Sequence, residues 1–168
     1  IWFNNPRREE WEHTSKIIDI LGLKSGDAVA DVGSGPGFYS FRFADIVGEN
    51  GRVYAIDTNE KHVDYVSEFA KDKNYANVIG IKSKLNDIRL DDKVDTVFLC
   101  SLYHVIYATS MEKVKDDLID SIKRAMKPGG RLVINAIRKE DHDKDALLGL
   151  DYPAHLWLEK EIKSVANV

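Results

Sequence analysis

At 168 residues, with 43% hydrophobic and 31% charged side chains, the chain is sized for one domain with a real core and an ordinary soluble surface. A net charge of −4 and a pI near 5.7 count against broad electrostatic binding to DNA, RNA or an anionic membrane. Cys100 is the one cysteine, which excludes an internal disulfide and any multi-cysteine metal site, so no metal is expected; no apolar run approaches the ~20 residues of a membrane span.

The chain opens with Trp2 and Phe3 running into Asn4-Asn5-Pro6-Arg7-Arg8, which is no signal-peptide pattern, and a reducing cytoplasm is the expected setting. Periodicity predicts an amphipathic helix from about Glu9 to Leu21, with Trp11, Ile17, Ile18 and Leu21 on one face and Gly22 and the Lys24–Asp27 turn as its stop. Trp11 either packs in the core or folds over a ligand mouth. A first strand is expected over Ala28–Val32, then a helix over Phe38–Val47 with Phe41, Ala44 and Ile46-Val47 available to pack. A second strand over Arg52–Asp57 leads to a helix over Asn59–Lys71, with Val63, Val66 and Phe69-Ala70 turned inward. Val78–Ser83 and Val94–Cys100 read as the third and fourth strands. Met111–Met126 reads as a long helix ended by Lys127-Pro128-Gly129-Gly130, and Arg131–Ile137 as a fifth strand. Arg138–Asp145 is a charge run, and Asp151-Tyr152-Pro153 opens a last helix.

Strand and helix alternate four times, and the strands are apolar enough for burial on both faces. The expected fold is therefore α/β, a doubly wound, mostly parallel Rossmann-like sheet with helices on both sides. One domain over 1–168 is expected: an N-terminal helical cap (1–22), a core (28–137), and a charged loop with a terminal helix (138–168).

Ligands of such sheets sit beyond the carboxyl ends of the strands. The first of these ends is Asp31-Val32-Gly33-Ser34-Gly35-Pro36-Gly37-Phe38-Tyr39-Ser40. Three glycines at every second position let the backbone turn sharply and approach a nucleotide-like ligand. A dinucleotide fingerprint needs glycine where Phe38 stands, which disfavours a nicotinamide cofactor. The G-x-G-x-G form after an acidic strand end is similar to the first motif of the Rossmann-like S-adenosylmethionine-dependent methyltransferases.

The other strand ends supply partners for that loop. Asp57, 20 residues beyond Gly37, can accept hydrogen bonds from both hydroxyls of a ribose, or cap the next helix. Asp31 can hold loop amides or face a ligand's ammonium or sulfonium charge. In Leu85–Leu90, Asn86 or Asp87 either pairs with the adenine exocyclic amine, with Leu85 or Ile88 on the ring, or forms a simple turn. In Cys100-Ser101-Leu102-Tyr103-His104, His104 is either the candidate general base or a helix-face histidine hydrogen-bonded to structure, Tyr103 is an orienting or stacking group, and Cys100 reads as a small buried hydrophobe.

Taken together, Glu9 to Ile137 resembles the Rossmann-like S-adenosylmethionine-dependent methyltransferases, and is close to a bacterial and archaeal small-methyltransferase group with a Trp-containing first helix and Tyr-His after the fourth strand. The likeness rests on the glycine loop, the acidic end of Val53–Asp57, Val94–Leu99, and Leu118–Ile134 with its Met126–Leu132 turn. It implies methyl transfer by in-line displacement to a small-molecule acceptor, with S-adenosyl-L-homocysteine as product. It also implies cofactor contacts from Asp31, Gly33, Ser34, Gly35, Gly37, Asp57 with Thr58 beside it, Asn86 or Asp87, and the backbone near Cys100. The alternatives are a protein or RNA methyltransferase and a non-catalytic S-adenosylmethionine-binding subunit that needs a partner. Two departures stand out. The family's C-terminal antiparallel strands find no counterpart in the 31 residues after Ile137, so the sheet edge is expected to be truncated or covered by the last helix or a second copy of the chain. There is also no Asn-Pro-Pro-Tyr-like motif after the fourth strand, which disfavours adenine or glutamine N-methylation, and the single cysteine disfavours arsenite methylation.

Overall fold

A computed structural model describes residues 13–100, 102 and 111–135. Trp11, Tyr103, His104, the end of the expected fifth strand, the charge run and the terminal helix lie outside the described residues. The elements are α1 (Thr14–Leu21), β1 (Ala28–Val32), α2 (Phe38–Val47), β2 (Arg52–Asp57), α3 (Glu60–Asp72), β3 (Val78–Lys82), β4 (Val94–Cys100), α4 (Glu112–Ala125) and β5 (Met126–Asn135).

The five strands form one parallel sheet in the order β3-β2-β1-β4-β5, and no antiparallel strand joins it among the described residues. Strand order therefore reverses between β1 and β4, which opens a crevice at their carboxyl ends. Period-2 alternation divides the strand side chains between two cores. Val29, Val53, Ala55 and Phe98 pack with α1, α2 and α3. Ala30, Val32, Ile56, Val97 and Leu99 pack instead with Leu118, Ile122 and Ala125 of α4 and with Ile88 and Leu90. Burial on both faces explains why β1 and β4 read as continuous apolar runs.

Four details differ from the sequence reading. The inward face of α2 carries Tyr39, Phe43 and Val47, while Phe41 and Ile46 are only half-buried. Tyr39 and Phe43 meet Phe98 at 5.0 and 5.4 Å between ring centroids, an aromatic cluster that joins the expected Ala44 and Val47 on the inward face. Asn59 caps α3 from outside, accepting the Lys61 N–H at 3.1 Å, and Met111 stands before α4 in an extended conformation. Ser83 lies just past β3, its N–H donating to the Asp57 carbonyl at 3.0 Å.

The fourth detail concerns β5. It starts at Met126, which pairs with Val94, and pairing resumes at Arg131 opposite Thr96. The expected Lys127–Gly130 turn is thus a bulge inside the strand: Pro128 has no N–H to give, and Gly129 sits at φ 75.

Asp95 fastens this irregular edge. Its Oδ2 accepts the Ala28 N–H at 2.8 Å and the Lys127 ammonium at 2.8 Å, so one carboxylate joins the start of β1 to β4 and to the bulge. Burial alone would raise its pKa, but those two donors outweigh it and hold the carboxyl below its ordinary value. A depressed folded pKa means the stabilisation is complete above the unfolded carboxylate range of about 4 and is lost as pH falls through the folded value. Asp95→Asn should lower stability at pH 7 by about 1 kcal/mol, discounted because the pair is partly solvated. Urea unfolding at pH 7 and pH 3 checks this, with the gap between variant and parent shrinking at the acid end.

Candidate functional site

Backbone geometry builds the site before any side chain enters it. Gly33, Gly35 and Gly37 all sit at positive φ (77, 54 and 84°), which L side chains rarely adopt. Space is also short: a Cβ on Gly33 would lie 2.7 Å from Leu102, and one on Gly37 would lie 2.7 Å from the Phe41 ring and 3.1 Å from Val66. That ring cannot easily yield, since Phe69 and Tyr75 hold it at 4.7 and 5.1 Å between centroids.

Every N–H of the loop is already used. Gly33 and Ser34 donate to the Ile56 carbonyl at 2.8 and 3.1 Å, Gly35 to Asp57 Oδ2 at 2.8 Å, and Gly37 to the Ser34 carbonyl at 3.0 Å; Pro36 has none. Such a loop is a rigid wall that offers no amide nest to a diphosphate. The Ser34 hydroxyl likewise turns back on the Gly35 carbonyl at 3.4 Å.

Beyond the loop lies a cleft of about 240 Å³ at the carboxyl ends of β1, β2 and β4. Two carboxylates line it. Asp57, 9% exposed, accepts the Gly35 N–H through Oδ2 and the Asn59 N–H at 2.7 Å through Oδ1, and His62 Nδ1 lies 3.4 Å from Oδ2. Asp31, 2% exposed, accepts the Ser40 hydroxyl at 2.6 Å. Thr58, Cys100, Leu85 and Ile88 also reach the cleft. Cys100 is half-buried, with the Asn135 amide 3.4 Å from its sulfur.

Most residues singled out in the sequence thus converge: Asp31, Gly33, Ser34, Gly35, Asp57, Thr58 and Cys100 share one cleft. Gly37 stands behind it as the first position before α2. Asn86 and Asp87 do not come into the cleft. The Asn86 amide donates to Asp117 at 3.1 Å, and with Lys113 it keeps Asp117 below the usual carboxylate range. Asp87 turns back on its own loop, accepting the Arg89 N–H at 2.9 Å with Arg124 at 3.9 Å. Both residues sit in a turn, and Ser83, Lys84, Leu85 and Ile88 line that wall of the cleft.

Sequence reasoning missed His62, Ser83 and Lys84. His62 had a findable signal, because the first turn of the helix after an acidic strand end faces the same crevice. Ser83 and Lys84 had none, since the backbone bridge between Lys84 and Asp87 that sets their direction is not encoded by periodicity. Among the described residues no group of three or more His, Cys, Asp or Glu side chains is placed to hold a metal, and no helix is long and apolar enough to cross a membrane.

The cleft has counterparts. A family model described as a methyltransferase domain matches residues 23–167. The crystal structure of a SAM dependent methyltransferase from Aquifex aeolicus is 35% identical, superposes with a TM-score of 0.68, and covers 81% of this chain and 72% of its own. A Saccharolobus solfataricus protein named a probable cobalt-precorrin-6B C(15)-methyltransferase (decarboxylating) is 32% identical over 142 residues, 80% of this chain and 67% of its own length. A ubiquinone/menaquinone biosynthesis C-methyltransferase of Haemophilus ducreyi is 30% identical over 132 residues, 75% of this chain and 47% of the relative. The chain therefore spans about half the length of the ubiquinone/menaquinone relatives it matches.

A substitution at Gly37 tests the wall. Gly37→Ala should cost about 1–3 kcal/mol from the positive φ alone, plus the clash with Phe41. Gly26→Ala carries a similar φ of 89° with open space around it, so it should cost less. Parallel urea titrations give the difference, and equal losses would mean that Phe41 yields freely.

Proposed function

This chain belongs to the methyltransferase-domain family of S-adenosylmethionine-dependent enzymes, and from that premise we propose that it methylates a carbon of a small-molecule acceptor. The observation that carries the reading is the charge of the cleft. Two carboxylates flank a glycine loop with no free amides, which suits a cationic, hydroxyl-bearing nucleoside and repels a diphosphate. S-Adenosylmethionine has that chemistry, and when bound it supplies a methyl group on a sulfonium for in-line displacement.

In this reading each residue has a separate task. Asp57, fixed by two backbone N–H donors, keeps lone pairs on both oxygens for the ribose hydroxyls, with Thr58 and His62 beside it. Gly33, Ser34 and Gly35 let the nucleoside approach the backbone closely, and Leu85 and Ile88 supply apolar area for the adenine. Asp31 faces the ammonium group of the amino-acid end, on the side of the cleft that Cys100 also lines. Methyl transfer mainly requires that donor and acceptor be held in line, with a base only where the acceptor loses a proton. We assign that base to His104, with Tyr103 orienting the acceptor. The carbon acceptor draws support from the relatives named as C-methyltransferases of ubiquinone/menaquinone biosynthesis and of a cobalt-precorrin.

Three measurements test the assignment. Asp57→Ala should weaken S-adenosylhomocysteine binding by about 1.5–3 kcal/mol in calorimetry, and unchanged affinity would remove Asp57 from the ribose site. His104→Ala should leave that binding intact while lowering turnover by about 10²–10⁴-fold, and full turnover would leave His104 without a chemical role. Incubation with methyl-labelled S-adenosylmethionine and a pool of small metabolites should place label on a small product. Label confined to protein or RNA would contradict the small-molecule acceptor, and cofactor binding with no label anywhere would favour a subunit that needs a partner.

A further inference from the structure

Ser40 is an unexpected residue for its place. It lies within the first turn of α2 at 0% exposure, on the helix face that also buries Tyr39, Phe43, Ala44 and Val47. A hydroxyl in such a setting is unfavourable unless it is hydrogen-bonded, and serine is a weaker helix former than alanine. Its hydroxyl donates to Asp31 Oδ2 at 2.6 Å, in the short range of charge-assisted bonds. Asp31 is itself 2% exposed, so bulk water does little to orient or solvate that carboxylate.

Position adds direction. Asp57 closes β2, whereas Asp31 belongs to β1 at the crevice shared with β4, beside Cys100. A ligand whose ribose rests on Asp57 extends its other end across the loop toward Asp31. We propose that Ser40 is the positioning residue for Asp31: its hydrogen bond to Oδ2 fixes the orientation in which the carboxylate meets the ammonium group of the ligand's amino-acid end. The inference rests on the methyltransferase reading above and adds to it a residue that does not line the cleft.

A pair of ligands isolates this role. S-Adenosylhomocysteine carries the amino-acid end, and 5′-methylthioadenosine keeps the nucleoside thioether but lacks it. Ser40→Ala, a substitution that favours the helix and barely changes volume, should weaken S-adenosylhomocysteine about ten-fold or more and leave 5′-methylthioadenosine within about two-fold. Ser40→Cys, similar in size but a weak donor, should behave alike, and Ser40→Thr, which keeps the hydroxyl, should restore the discrimination. In an Asp31→Asn background Ser40→Ala should add no further loss. Equal losses for both ligands, or an undiminished effect in the Asp31→Asn background, would overturn the assignment and leave Ser40 a packing residue. If the parent protein binds both ligands and Ser40→Ala changes neither, this inference alone falls. If the parent binds neither, the functional reading falls and takes this inference with it.

Discussion

The hydrogen bond from the Gly35 N–H to the Asp57 carboxylate is the contact on which the site depends. It ties the β1–α2 loop to the end of β2, where the Gly33 and Ser34 N–H groups also donate to the Ile56 carbonyl. The same carboxylate also receives the Asn59 N–H, so it fixes the entry to α3 as well. One side chain thereby orders three chain segments around a cleft and still presents lone pairs to a ligand. An ionised acceptor is needed for this, because a neutral one would make weaker bonds to both amides.

That contact explains what the loop selects. A glycine loop after a first strand is commonly read as a phosphate cradle, since free amides at a helix start attract anions. Here the amides of Gly33, Ser34, Gly35 and Gly37 are spent on the protein itself, and two carboxylates, Asp31 and Asp57, face the cleft against the single lysine, Lys84, among its lining residues. The loop contributes shape, and Asp31 and Asp57 contribute sign. Shape requires glycine at Gly33 and Gly37, where positive φ and close neighbours leave no room for a Cβ.

Much of the fold was legible because its signals are local and repeated. Apolar runs bounded by Gly22, Gly48 and Gly51 marked the early elements, and alternation of strand and helix implied the parallel sheet. The helix face of α2 was legible in part: Ala44 and Val47 are buried as expected, but the preference for Tyr39 and Phe43 over Phe41 depends on Phe98 from a distant strand. Nor was the bulge in β5, whose Lys127–Gly130 stretch carries ordinary turn residues but continues a strand held through Asp95. Within the site, strand-end residues could be named because the sheet places them. The direction of Asn86 and Asp87 was not legible, since their loop folds toward Asp117 and Arg89, a choice set by α4 and by the local turn.

The central claim is that the cleft takes a cationic nucleoside in place of a dinucleotide, and calorimetric titration of the unaltered protein tests it most directly. S-Adenosylmethionine and S-adenosylhomocysteine should both give saturable heats, and NAD should give none at the same concentrations. Saturable binding of NAD with no heat from either sulfur nucleoside would contradict the account.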